Sequence, residues 1–239
     1  MQQLHTTRAI VLRCIRHGDR TSVLKAFTEQ FGARSYLVRM GAKGGTRPGL
    51  LEPLARLELV ATDSADQGMQ HLREVRADRP YLRLSTDPVR GALALFTQEV
   101  LHQGLGQHGP DPALFRSVLS ALEVLDTEEE ITYYPQFLLL QLALHMGFFP
   151  SAAEGDERWF DPIEGVFLSL PAPHVHGFDT EVSAGLQQMI DHWPLMPDAQ
   201  VMSTATRRAL LDGLLAFFRF HVPGFGELRS PAILHAVLH

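Results

Sequence analysis

Polar and apolar positions change their period once along the chain. Up to residue 80 the apolar residues come in short branched runs, each closed by a turn. The first is Arg8-Ala9-Ile10-Val11-Leu12-Arg13-Cys14-Ile15, ended by His17-Gly18-Asp19. The second, residues 21–28, ends at Gln30-Phe31-Gly32. The third is Arg34-Ser35-Tyr36-Leu37-Val38-Arg39, followed by a Gly-rich loop over 41–49. Residues 54–62 and 69–76 complete the set. Five short strands in so small a segment predict a small β-barrel, because closure removes exposed strand edges. Simple alternation does not sort the basic residues: Arg8 and Arg16 share a face and Arg13 lies on the other. A β-bulge repairs this, at a position the pattern does not specify.

Beyond Pro80 the period becomes helical. Asp87-Pro88 supplies a cap and a first-turn proline, and Val89, Leu93, Phe96 and Val100 follow at helical spacing. Asp111-Pro112 opens a second helix striped by Leu114, Val118, Leu122 and Leu125. Residues 133–148 are apolar nearly all round yet too short to span a bilayer, which predicts the central helix of a bundle. Residues 206–222 form another helix, and Ser230-Pro231 opens a last short one. Between them, 155–177 reads as an irregular hairpin turning at Pro162-Ile163-Glu164. The expected architecture is α+β and multidomain: a five-stranded barrel over 1–79, then a mainly α-helical domain over 80–239.

Composition supports a buried core: 45% of the 239 residues are hydrophobic and 20% charged. The net charge of −6 conceals a division. Residues 1–80 carry 13 Lys and Arg against 8 acids, or +5; the remainder carries 8 against 19, or −11. Such asymmetry points to nucleic-acid or surface binding by the basic part; ordinary variation of surface charge is the alternative. One cysteine, Cys14, excludes an intramolecular disulfide framework and a four-cysteine zinc site. No apolar run is long enough for a membrane span, and the apolar stretch 9–12 is too short for a signal-peptide core. A soluble, cytoplasmic setting is the expectation.

Catalytic patterns are missing. The glycines at 41, 44, 45 and 49 lack the Lys-Ser/Thr pair of a phosphate-binding P-loop, and neither GxSxG nor HExxH occurs. Cys14, inside a strand, is expected to be a structural thiol. His174, His176 and His192 match no ligand spacing and are expected to be surface residues. No active site, cofactor or metal is nominated.

The chain resembles the bacterial RecO family. The resemblance rests on residues 7–12, on Gly18-Asp19-Arg20-Thr21-Ser22 and on Phe27-Thr28-Glu29-Gln30-Phe31-Gly32. It continues through 38–43 and Leu51-Glu52-Pro53-Leu54-Ala55-Arg56, then more loosely through 137–147 and 224–234. The resemblance implies an N-terminal OB barrel and a helical C-terminal domain. It implies a recombination mediator in DNA repair that binds single- and double-stranded DNA, anneals complementary strands, and works with RecR and with the C-terminal tail of single-strand-binding protein. It also implies association with the nucleoid. Two departures stand out. Many relatives carry a four-cysteine zinc site where 155–177 holds none, so Trp159, Phe160, Val166 and Phe167 are expected to hold the hairpin. The family's Lys-Gly-Ala-Arg is here Met40-Gly41-Ala42-Lys43, with Arg39 as the substitute cation.

Candidate DNA-binding residues are Arg34, Arg39, Lys43 and Arg47, around the third strand and its Gly-rich loop, where cations neutralise phosphates. Tyr36 is the candidate for stacking on a base; its alternative is a half-buried strand position. For an acidic partner tail the few cations of the helical half are the candidates: Arg116 beside Leu114 and Val118, Arg207 and Arg208 near a helix N-terminus, and Arg229. The competing function is a protein–protein adaptor whose barrel binds a protein partner and not DNA.

Overall fold

A computed structural model describes residues 4–41, 45–62, 69–197 and 201–237. Contacts divide the chain into two compact units, residues 1–85 with 98–116, and residues 86–97 with 117–239.

The first unit contains a closed five-stranded barrel of OB topology. Its strands are β1 (Leu4–Arg16), β2 (Thr21–Thr28), β3 (Gly32–Arg39), β4 (Arg56–Thr62) and β5 (Gln70–Ala77), hydrogen-bonded in the order β1-β2-β3-β5-β4. All neighbouring pairs are antiparallel except β3 and β5. The β1 strand is longer than its apolar run because its polar start pairs with β4, from Leu4 opposite Thr62 to Ile10 opposite Arg56. Two bulges set which residues face inward. Val11 pairs with Ala26 and Arg13 with Lys25, so Leu12 is the extra residue. Ala9 and Val11 therefore fill the interior, and after the bulge Cys14 packs against it too. In β5 the shift falls at Arg73: Val60 pairs with Glu74 and Ala61 with Leu72. Leu72 and Val75, three residues apart, can then both pack on the interior. A short 3-10 turn, Pro48–Leu51, adds buried Leu51 to that core.

Ile10, Leu12 and Phe27 are buried although they lie outside the interior cluster. Residues 98–116 cover Leu12 and Phe27. Gln98 donates to the Leu12 carbonyl at 2.7 Å, and the Phe27 ring lies 5.8 Å from that of Phe115 and 6.3 Å from His108. Gly32 makes the contact close: at φ 69° it takes the left-handed conformation, and a Cβ there would meet the Gly109 carbonyl at 2.3 Å.

The second unit is helical. The chain's helices are α1 (Pro88–Leu105), α2 (Pro112–Thr127), α3 (Tyr134–Met146), α4 (Thr180–His192), α5 (Thr204–His221) and α6 (Ser230–Val237). Every residue from Tyr133 to Leu140 is buried. Tyr134 accepts from or donates to Thr97 at 3.2 Å, Gln141 donates to the Ser117 carbonyl, and Gln136 donates to the Arg207 carbonyl of α5. Gly147, left-handed at φ 86°, ends α3. The α4 helix was absent from the expected elements; Asp179 caps it through the Val182 N–H, and Val182, Leu186 and Met189 form its buried stripe.

Arg90 is a buried cation of this unit, 3% exposed. It gives N–H groups to the carbonyls of Leu125 and Glu128 at the end of α2, and its Nε lies 3.3 Å from Asp87. The hairpin pairs β6 (Trp159–Asp161) with β7 (Val166–Leu168). Phe160 and Phe167 are buried, and the Phe160 ring lies within 6 Å of those of Phe167, Phe178 and Phe217. Apolar contact is only half of what holds it. The Asp161 carboxylate accepts the N–H groups of Ile163 and Glu164 and lies 3.1 Å from His174 Nε2.

Candidate nucleic-acid interface

One groove of the barrel gathers cations. Its volume is about 460 Å³, and it runs between β3, the segment 45–50 and β5. Arg39, Arg47, Arg73 and Arg76 line it, with Glu74 as its acid. A single bridge places two of them: Met40 pairs with Thr46, and the Thr46 N–H bonds the Arg39 carbonyl at 2.8 Å. Arg39 and Arg47 are thereby held on either side of the loop's neck. The bulge at Arg73 brings β5's cations to the same groove. Arg76 is engaged by Glu74 at 2.8 Å and Glu58 at 3.9 Å. Among the described residues, Arg39, Arg47 and Arg73 have no ion-pair partner, so their charge is available to an incoming anion.

The sequence candidates divide accordingly. Arg39 and Arg47 share the groove; Lys43 lies outside the described residues. Arg34 lines a different cavity, with Lys25 and His102. Tyr36 corrects an expectation. It is fully buried in the barrel interior, on the same face of β3 as Val38, and no ring face is open to a base. Arg73 and Arg76 were missed as site residues. The signal for them was local: inward Leu72 and Val75 at a spacing of three require a bulge, and a bulge re-aims its neighbours.

In the helical half, Arg207 and Arg208 line a shallow cleft with Pro135, Gln136, Leu211 and Leu234. The Arg207 guanidinium also lies 5.8 Å from the Tyr133 ring centroid. Arg116 and Arg229 are exposed and line no part of that cleft. Leu114 and Val118 are buried, at 0% and 1% exposure, so they form no open groove beside Arg116. Arg116 donates instead to the Pro112 carbonyl.

Burial pushes the Cys14 thiol above its ordinary value, against a smaller opposing hydrogen bond with Ser22, which suits a structural thiol. His174 and His192 are engaged by Asp161 and by the Gln188 carbonyl, and His176 lies edge-on to Phe220. Among the described residues no group of three or more His, Cys, Asp or Glu side chains could hold a metal ion, and no helix is long and apolar enough to cross a membrane.

Residues 1–81 match the family described as Recombination protein O N terminal. A protein from Porphyromonas gingivalis strain W83, named DNA repair protein RecO, is 30% identical over 236 residues, covering 95% of this chain and 96% of the relative. The chain belongs to the RecO family. RecO proteins of Azobacteroides pseudotrichonymphae and Flavobacterium psychrophilum are 27% and 26% identical, each over at least 97% of both chains. The RecO N-terminal match coincides with the barrel and includes every arginine of the groove.

Proposed function

We propose that this chain is a non-catalytic recombination mediator in DNA repair. Its barrel groove binds the backbone of single- and double-stranded DNA, and complementary strands held this way anneal. The observation that carries the reading is the cluster of Arg39, Arg47 and Arg73, without ion-pair partners among the described residues, in one groove of an OB barrel. Guanidinium groups recognise phosphate, and the counterions released on contact make binding salt-dependent. Membership of a family whose relatives are named DNA repair proteins supports the same reading.

The helical unit serves the protein partners. Arg207 and Arg208, beside Leu211 and Leu234, offer charge and an apolar wall to the acidic tail of single-strand-binding protein. RecR is the second partner, and DNA of the nucleoid the site of action. Arg229 and Arg116 contribute long-range attraction only.

Strand annealing, with and without single-strand-binding protein on the complementary strands, tests the proposal. Annealing faster than the spontaneous rate, and lost on raising the salt, is the expected result. No annealing and no salt-dependent DNA binding would leave the barrel as a protein-binding adaptor.

A further inference from the structure

The barrel has a second cationic cavity, of about 250 Å³, distinct in its lining from the groove. Its walls come from β2, β3, the end of α1 and the loop 106–110. Lys25, Arg34, His102 and His108 line it, and among the described residues no Asp or Glu does. We propose that this cavity binds one phosphate group of a nucleic-acid strand, as an anchoring point separate from the arginine groove. The inference rests on the reading that the barrel binds nucleic acid.

Three observations carry it. The first is charge. Lys25 reaches the cavity from β2, Arg34 from β3 and the two histidines from the helical segment, while Arg13 of β1 lies near enough to act on His102. Two permanent cations, Lys25 and Arg34 from adjacent strands, with no lining acid among the described residues, concentrate a positive potential in a concave site. The second is an unsatisfied polar atom. His102 Nδ1 is buried and has no hydrogen-bond partner among the described residues. Buried polar nitrogens are rarely left so, and a phosphate oxygen is the acceptor that a protonated ring would take. The third is preorganisation. The Ala33 N–H holds the His108 carbonyl at 2.8 Å, and Gly32 admits the Gly109 backbone at a distance no side chain would allow. The cavity's outer wall is therefore fixed before any ligand arrives, which limits the entropy lost on binding.

The state of His102 makes the site readable. Burial, then the charges of Lys25 and Arg13, hold its imidazole below the ordinary value of 6.5, so the free ring is neutral near neutral pH. A bound phosphate opposes both effects and raises that value. Arg34 and His108 face the same space. Affinity for a phosphodiester should accordingly increase as pH falls through the His102 transition.

The experiment follows the His102 ring by NMR in the full chain, its resonance assigned with His102→Gln. The ligands are inorganic phosphate, against chloride at equal ionic strength, and one oligonucleotide with or without a 5′-phosphate. Inorganic phosphate is expected to raise the His102 midpoint by about one pH unit. Lys25→Gln should weaken that response several-fold, while Arg39→Ala/Arg47→Ala/Arg73→Ala leaves it unchanged. Equal responses to the two oligonucleotides identify a backbone phosphate; a response only to the phosphorylated one identifies a strand end. Oligonucleotides that bind with salt dependence but leave His102 unmoved overturn the cavity assignment and leave the proposed function standing. A His102 response to inorganic phosphate, with no oligonucleotide binding, overturns the DNA reading and leaves an anion site.

Discussion

The barrel and the helical unit treat positive charge differently. Each buries an arginine by giving its N–H groups to backbone carbonyls. In the barrel unit Arg56 donates to Arg79 and Pro80 and lies 4.3 Å from the Tyr81 ring centroid; in the helical unit Arg90 donates to Leu125 and Glu128. The difference lies in the remaining cations. Four arginines of the barrel face one groove, whereas the cleft of the helical unit holds two. A net charge of −6 for the whole chain says little about either surface. Backbone geometry decides where charge concentrates. The neck at Met40 and Thr46 and the bulge at Arg73 bring together cations more than thirty residues apart in sequence.

The comparison breaks most directly in DNA binding. Replacing Arg39, Arg47 and Arg73 together with Ala should lower affinity for single-stranded DNA by about 100-fold at low salt, or about 2.7 kcal/mol. The salt slope should fall by about 2, at roughly 0.7 per lost phosphate contact. Arg207→Ala/Arg208→Ala should leave that slope unchanged and weaken only the partner tail. Fluorescence anisotropy over a salt series reads both. A slope lost equally in the two variants would erase the division of labour.

The buried cations give the next largest effect, on stability. Arg90→Leu removes donors from the Leu125 and Glu128 carbonyls and a positive charge from the end of α2. About 2–3 kcal/mol should be lost, since hydrogen bonds to a charged group are the stronger kind and buried carbonyls are left unpaired. Urea unfolding monitored by circular dichroism should show an earlier helical transition, with DNA affinity of the folded protein unchanged.

Gly32→Ala acts on the barrel unit instead. The left-handed backbone strains any side chain, and the added Cβ meets the Gly109 backbone. A loss of about 1–2 kcal/mol is expected. The same variant should abolish the phosphate response of His102 before it affects the groove, because Gly109 belongs to the cavity and not to the groove.

The closed barrel, the near-central α3 and the hairpin were all legible in the pattern, because strand and helix periods are local properties of the chain. The Leu12 bulge was legible as a need without a position. Fixing it required the partner strand, since register belongs to a pair. The α4 helix was passed over although Asp179 and the Val182, Leu186, Met189 spacing announce it; its neighbours in the irregular 155–177 segment obscured it. Half of the groove was legible through Arg39 and Arg47. Arg73 and Arg76 come from a strand that closes the barrel late in the sequence. Tyr36 failed because composition cannot tell an inward aromatic from an outward one.

The smallest effect decides whether Arg8 counts among the DNA-facing cations. Arg8 is exposed, yet its Nε and Nη2 grip the two Glu29 oxygens at 2.9 and 2.7 Å. That hydrogen-bonded contact, opposed by partial burial and aided by the Arg8 and Arg116 charges, holds the Glu29 carboxyl below its ordinary 4.5. A carboxylate whose value is depressed on folding adds stability above its unfolded value, and loses it as pH falls through the folded one. Arg8 is 44% exposed, so solvent screens the pair and only about 0.5 kcal/mol is expected. Wild type should therefore exceed Glu29→Gln by that amount at about pH 7, and the difference should vanish as pH falls below the depressed Glu29 value. Arg8→Gln should cost the same stability but change DNA affinity by less than about twofold, because its charge is already neutralised. A loss of DNA binding comparable to that of Arg39→Ala would mean that Glu29 releases Arg8 to the strand, and the cationic surface of the barrel would extend beyond the groove.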